Sequence, residues 1–145
     1  MDVGTRRLIL LVDDVDYHAS VSRAQVQSAE SDADFISFAD AAAGGARDYV
    51  LALTLKQNTS FTSLWSIIWS RAGEDVPFEL WPTGKPADGL PTEDQPLIEG
   101  IATVTEPDGV LAGGEANVSN TARMTTEVEW PCVARPTKTP AAPAP

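Results

Sequence analysis

The segment 116–132 constrains the fold more than any other. Its even positions are Ala116, Val118, Asn120, Ala122, Met124, Thr126, Val128, Trp130 and Cys132. Its odd positions are Asn117, Ser119, Thr121, Arg123, Thr125, Glu127 and Glu129. Successive side chains of a strand point to opposite faces, so this pattern sets a mostly apolar face against a wholly polar one. It predicts one strand well beyond the usual length of about five to six residues. A strand with one apolar face must bury it under a second layer, which points to a layered β fold.

Further strands fit that frame. The aliphatic run Leu8–Val12 within residues 5–13 reads as one. In residues 15–29, Val15, Tyr17, Ala19 and Val21 share one parity, and Ala24, Val26 and Ser28 take the other after Arg23. A parity switch of this kind is what a β-bulge inside one long strand produces. Asp34–Phe38 is a short strand candidate. Tyr49, Leu51, Leu53 and Leu55 alternate with Val50, Ala52, Thr54 and Lys56, which gives a strand with one fully apolar face. Val76–Trp81, opening near Pro77, and Leu97–Thr105 complete the set.

One helix is expected at about residues 60–71. Phe61, Leu64, Trp65 and Ile68 fall at i, i+3, i+4 and i+7, with Asn58, Thr59 or Ser60 as the N-cap. Arg71 suits its C-terminal end, and Gly73 suits the stop. Ile67 and Trp69 lie off the stripe, so the helix is apolar over more than one face. Breakers define the loops. Ala43, Gly44 and Gly45 lie in a mobile loop at 40–48, and Pro82, Gly84, Pro86, Gly89, Pro91 and Pro96 exclude helix or central strand from 82–96. Asp108-Gly109 and Gly113-Gly114 mark a turn region. The expected fold is all-β: a sandwich or barrel of about seven strands with one flanking helix. Residues 1–133 form a single domain, and 134–145 form a Pro/Ala-rich arm, extended or disordered.

Charge narrows the function. The 21 Asp and Glu against 10 Lys and Arg give a formal net charge of −11. Duplex binding relies on cations that displace counterions from phosphates, so this balance excludes most nucleic-acid binders and argues against anionic membranes. Leu8–Val12 is too short to span a bilayer or to serve as a signal-peptide core. A soluble intracellular protein is therefore expected.

Candidate chemistry is sparse. Asp14, Asp16 and His18 share one strand side in this reading and offer two carboxylates and an imidazole to a divalent metal, but they lack calcium-loop grammar. A solvated polar edge is the simpler account. Cys132, the only cysteine, continues an apolar parity with no activating neighbour and reads as a buried structural thiol. Neither a nucleophile elbow nor a phosphate loop nor a dinucleotide fingerprint occurs. The chain is read as a non-enzyme with no cofactor.

The order of elements carries a resemblance. Long N-terminal strands lead into a glycine-rich loop, a strand and a Trp-rich helix, then Phe-Glu-Leu-Trp-Pro at 78–82. A Pro/Gly loop, the strand Gly100-Ile101-Ala102-Thr103-Val104 and a final strand closing in Glu129-Trp130-Pro131-Cys132 follow. Over roughly residues 5–133 this resembles the major tail (tail tube) proteins of long non-contractile tailed phages, related to the ring protein of type VI secretion. The resemblance implies a structural virion protein, assembled in the bacterial host cytoplasm. Its hexameric rings would stack into a tail tube through which DNA passes during ejection. The implied partners are further copies of the chain, the tape measure, the terminator and the distal tail protein, with no specific DNA binding and no membrane. The lumen-facing candidates are Glu99, Thr103, Thr125, Glu127 and Glu129, on the polar faces of the two best alternating strands. Ala43, Gly44, Gly45, Gly84, Lys85 and Asp88 mark loops expected to mediate assembly. The alternatives are a tail terminator or connector ring, and an immunoglobulin-like or carbohydrate-binding module.

Overall fold

A computed structural model describes residues 3–4, 6–30, 37–42, 47–116, 118–119 and 121–140. Its elements are β1 (Ile9–Val12), β2 (Val15–Asp16), β3 (Val21–Glu30), α1 (Phe38–Ala42), β4 (Arg47–Lys56), α2 (Leu64–Arg71), β5 (Asp75–Trp81), β6 (Leu97–Thr103), β7 (Thr125–Pro131) and β8 (Thr137–Thr139). They form two antiparallel sheets, one ordered β2-β1-β5-β6-β8 and the other β3-β4-β7. The fold is an all-β sandwich with a flanking helix.

The core lies between the sheets. Leu51, Leu53, Leu55, Val128 and Trp130 from the three-stranded sheet meet Leu10, Val12, Val76, Phe78, Leu80 and Ala102 from the five-stranded one. Each such fully buried apolar side chain contributes about 1.5–3 kcal/mol of transfer free energy. Leu64 and Ile68 of α2 join the same cluster. A smaller cluster of Leu11, Trp81 and Leu97 lies on the other side of the five-stranded sheet.

Several expectations change. The segment 116–132 is not one strand: β7 starts at Thr125. Its partner β4 ends at Lys56, opposite Thr125, and the last rung beyond is Gln57 N–H to the Met124 carbonyl. With no partner further on, the ladder stops whatever the side-chain pattern. The loop before β7 is held by side chains instead. The Gln57 amide donates to the Gly113 carbonyl at 2.8 Å and accepts from its N–H at 2.9 Å, and Trp65 Nε1 donates to the Leu111 carbonyl at 2.9 Å.

The segment 15–29 is a hairpin strand, a 3-10 turn at His18–Ser20 and then β3. Asp13 and Asp14 turn the β1–β2 hairpin, both at positive φ (52° and 65°). The expected bulge is present, as a register shift between Val21 and Arg23. Residues 34–36 of the 34–38 candidate lie outside the described residues, and Phe38 opens α1 instead of ending a strand. The main helix starts at Leu64, because the Ser63 hydroxyl, at N-cap position, accepts from Ser66 N–H at 3.2 Å. Phe61 is therefore outside the helix and fully exposed, not part of its buried stripe.

Pro77 sits inside the central strand β5. Its carbonyl accepts from Asp13 N–H at 2.8 Å, so its missing N–H points to the same side, past the last β1–β5 pair, Val12–Phe78. The C-terminal segment is not wholly a free arm. Cys132 bridges to Ala102, and β8 pairs with β6 from Leu97 to Glu99, so the chain crosses from one sheet to the other.

Candidate assembly surfaces

The two sheets present opposite outer faces. Directly paired residues share a face, so Arg23 and Gln25 of β3, Thr54 and Ala52 of β4, and Glu127 and Glu129 of β7 lie on the outer face of the three-stranded sheet. Lys56 and Thr125 extend it at one end. On the five-stranded sheet the outer face carries Asp75 opposite Thr103, and Glu79 opposite Glu99. Thr103 donates to the Asp75 carboxylate at 2.7 Å.

The five lumen candidates are therefore not brought together. Thr125, Glu127 and Glu129 are exposed on one side of the sandwich, and Glu99 and Thr103 lie on the other. Both sets cannot line one passage. Periodicity identifies which residues of a strand share a face, but not which sheet the strand joins, and β6 and β7 belong to different sheets.

The edges differ as well. Among the described residues β3 pairs only with β4, which leaves ten residues of unpaired edge. Proteins that stay monomeric usually shorten, bulge or charge such an edge; β3 is bulged near its start, at Val21–Arg23, and carries no charge from Ala24 to Ala29. At its N-terminal end Arg23 Nε is buried and has no hydrogen-bond acceptor among the described residues. The other edge of the same sheet, β7, carries Glu127 and Glu129, and the Thr105 hydroxyl donates to the Glu129 carbonyl at 3.0 Å.

The loop candidates fare unequally. Ala43, Gly44 and Gly45 lie outside the described residues. In the loop 82–96, Gly84 turns at φ 95°, and Thr83 donates to the Asp94 carbonyl at 2.7 Å. Asp88 accepts from Leu90 N–H at 3.0 Å. The Lys85 charge acts on Asp16.

Asp14, Asp16 and His18 are not brought together as three ligands; no cluster of three potential ligands exists among the described residues. Asp14 is in the hairpin turn, and only Asp16 meets His18, at 2.8 Å from Nδ1. Burial pushes the Asp16 carboxyl up, but the His18 backbone N–H and ring outweigh it and hold the carboxyl below its usual range. Cys132 is half-buried, and burial raises its thiol pKa, which opposes reactivity.

The second apolar face expected of the helix is present as an exposed surface. Phe61, Trp65 and Trp69 line an open cleft of about 540 Å³ together with Thr59, Ser66 and Ser70. The Trp65 and Trp69 rings meet edge to face at 5.6 Å. The signal was present in Trp69 lying off the helical stripe. No described helix is long and apolar enough to cross a membrane. Compared with known proteins, the chain matches no family model, no curated protein and no solved structure.

Proposed function

We propose that this chain is a structural subunit that joins copies of itself edge to edge into rings, stacked as the tail tube of a phage virion through which DNA passes. The observation that carries the proposal is the ten-residue edge of β3, unpaired among the described residues. β3 and β7 both run antiparallel to β4 and are thus parallel to each other, so one head-to-tail operation can repeat around a ring.

In this arrangement the three-stranded sheet is continuous around the passage, and Thr125, Glu127 and Glu129 face it. Glu99 and Thr103 face outward. The lining face carries Asp48, Glu127 and Glu129 against Arg23 and Lys56, three anions and two cations. A nearly balanced wall neither holds phosphates by counterion release nor strongly repels them. The chain's large negative charge then lies mainly elsewhere and serves solubility.

Light scattering behind size exclusion, followed by negative-stain microscopy, tests this reading. Rings or tubes appearing with rising concentration support it. A monodisperse monomer at every concentration, with none beside other tail components, rejects it. Rings that never stack assign the chain to a terminator or connector instead.

A further inference from the structure

The two edges of the three-stranded sheet are not equally open. Cys132 N–H donates to the Tyr49 carbonyl at 2.8 Å, and Gln57 N–H to the Met124 carbonyl at 2.9 Å. The odd residues of β4 therefore bond to β7, and its even residues bond to β3. By the same register, the backbone groups of Ala24, Val26 and Ser28 point to the free edge of β3. Those of Thr125, Glu127, Glu129 and Pro131 point to the free edge of β7. There Pro131 has no N–H to offer, and the Glu129 carbonyl already accepts from the Thr105 hydroxyl at 3.0 Å.

The segment 105–113 runs beside β7 in the opposite direction. The Thr105 carbonyl accepts from Trp130 Nε1 at 3.2 Å, and the Leu111 carbonyl from the Thr126 hydroxyl at 3.2 Å. Gly113 exchanges hydrogen bonds of 2.8 and 2.9 Å with the Gln57 side-chain amide, level with Met124. Each of these contacts uses a side chain. Among the described residues no backbone-to-backbone bond joins the segment to β7. Glu106 and Asp108 also face Glu127 and Glu129 across an open cleft of about 480 Å³, acid against acid.

We propose that the segment 105–113 is a guard on the β7 edge, displaced when β3 of a second copy docks there. The guard rests on the edge-to-edge reading above, whose seam it regulates. A strand added to this edge needs the Glu129 carbonyl that Thr105 occupies. It brings a ladder of backbone bonds in place of a few side-chain contacts, and Arg23 in place of Glu106 and Asp108. Until then the guard covers an edge that is otherwise a template for pairing.

Sedimentation velocity across a concentration series reads the cost of opening, because a guarded edge lowers the apparent affinity by the fraction of molecules that are open. Thr105→Val keeps the shape and removes the hydroxyl on Glu129, and Gln57→Ala removes both bonds to Gly113. Each is expected to tighten self-association about fivefold, the equivalent of one lost hydrogen bond. A merely structural role lowers the melting temperature and leaves association unchanged or weaker. Thr105→Val decides the matter if Gln57→Ala does not fold. Ser28→Pro removes an N–H that β4 does not use and is expected to abolish association in the parent and in both variants. Rings that Ser28→Pro prevents but neither release variant tightens overturn the guard alone. Tightened, Ser28→Pro-sensitive association that gives open chains and never rings keeps the guard and rejects the ring reading. Association that survives Ser28→Pro, or none in any of these proteins, overturns both.

Discussion

Arg23 and Glu127 flank Thr54 from its two sides, on the same outer face of the three-stranded sheet. Each ends a row, Arg23 at the β3 edge and Glu127 at the β7 edge. Continuing the sheet from β7 of one copy into β3 of the next sets acid against base across the seam. Opposite charges on neighbouring strands contribute about 0.2–1 kcal/mol, and like charges oppose pairing by a similar amount. Arg23→Glu is therefore expected to weaken self-association about twofold to tenfold per seam, and Glu127→Arg likewise. The double variant restores the pairing with its sign exchanged. Sedimentation velocity across a concentration series reads this. Association untouched by either reversal sinks the edge-to-edge arrangement.

What the sequence made legible follows the reach of its signals. Alternation from Tyr49 to Lys56 named a real strand and its buried face, because β4 is the central strand of its sheet. The same alternation over 116–124 misled, because a side-chain pattern carries no information about where a partner strand ends. The bulge near Arg23 was legible as a parity switch. The 3-10 turn before it was not, since Tyr17 and Val21 are packed against the core on either side of it and keep an apolar spacing. The polar faces of β6 and β7 were readable one strand at a time. Their separation onto opposite sides of the sandwich depends on sheet order, which is set by long-range pairing.

Glu79 and Glu99 pair directly across β5 and β6, on the outer face of the five-stranded sheet. Like charges in this position destabilise a sheet. Glu99→Lys replaces repulsion with attraction and is expected to raise stability by about 0.5–1 kcal/mol, a rise of a few degrees in melting temperature. Salt screens exposed charges, so the gain shrinks at high ionic strength. Thermal melts at low and high salt check both parts. An unchanged melt at low salt shows that the two carboxylates already avoid each other.

Asp13 and Asp14 adopt the left-handed conformation in a two-residue turn that joins paired Val12 and Val15. Non-glycine residues pay for that conformation, and the second turn position favours glycine most. Asp14→Gly is expected to stabilise by about 0.5–1 kcal/mol, partly offset by the greater freedom of glycine in the unfolded chain. Asp13 is the wrong residue to change: its carboxylate accepts from Arg71 Nη1 at 2.9 Å, tying the hairpin to the end of α2. Denaturant unfolding should raise the midpoint of Asp14→Gly, while Asp13→Gly stays near the parent because relief of the turn is offset by loss of the exposed Arg71 ion pair. A loss of stability in Asp14→Gly counts against strain in this turn.

Trp81 and Trp130 are both buried, yet their indole N–H groups differ. Trp130 Nε1 donates to the Thr105 carbonyl at 3.2 Å. Trp81 Nε1 is buried without an acceptor among the described residues. A buried unpaired donor costs about 1–3 kcal/mol, whereas a satisfied one contributes about 1 kcal/mol and leaves its partner stranded when removed. Both Trp→Phe changes also lose packing volume. In Trp130→Phe the two losses add, because the Thr105 carbonyl is left without its donor. In Trp81→Phe the lost volume is set against the removed orphan donor. Trp130→Phe is expected to lose about 2–3 kcal/mol, and Trp81→Phe to stay within about 1 kcal/mol of the parent. Urea unfolding of the two variants side by side decides it: equal losses mean that Trp81 Nε1 has a partner in solution, with a bound water as the first candidate.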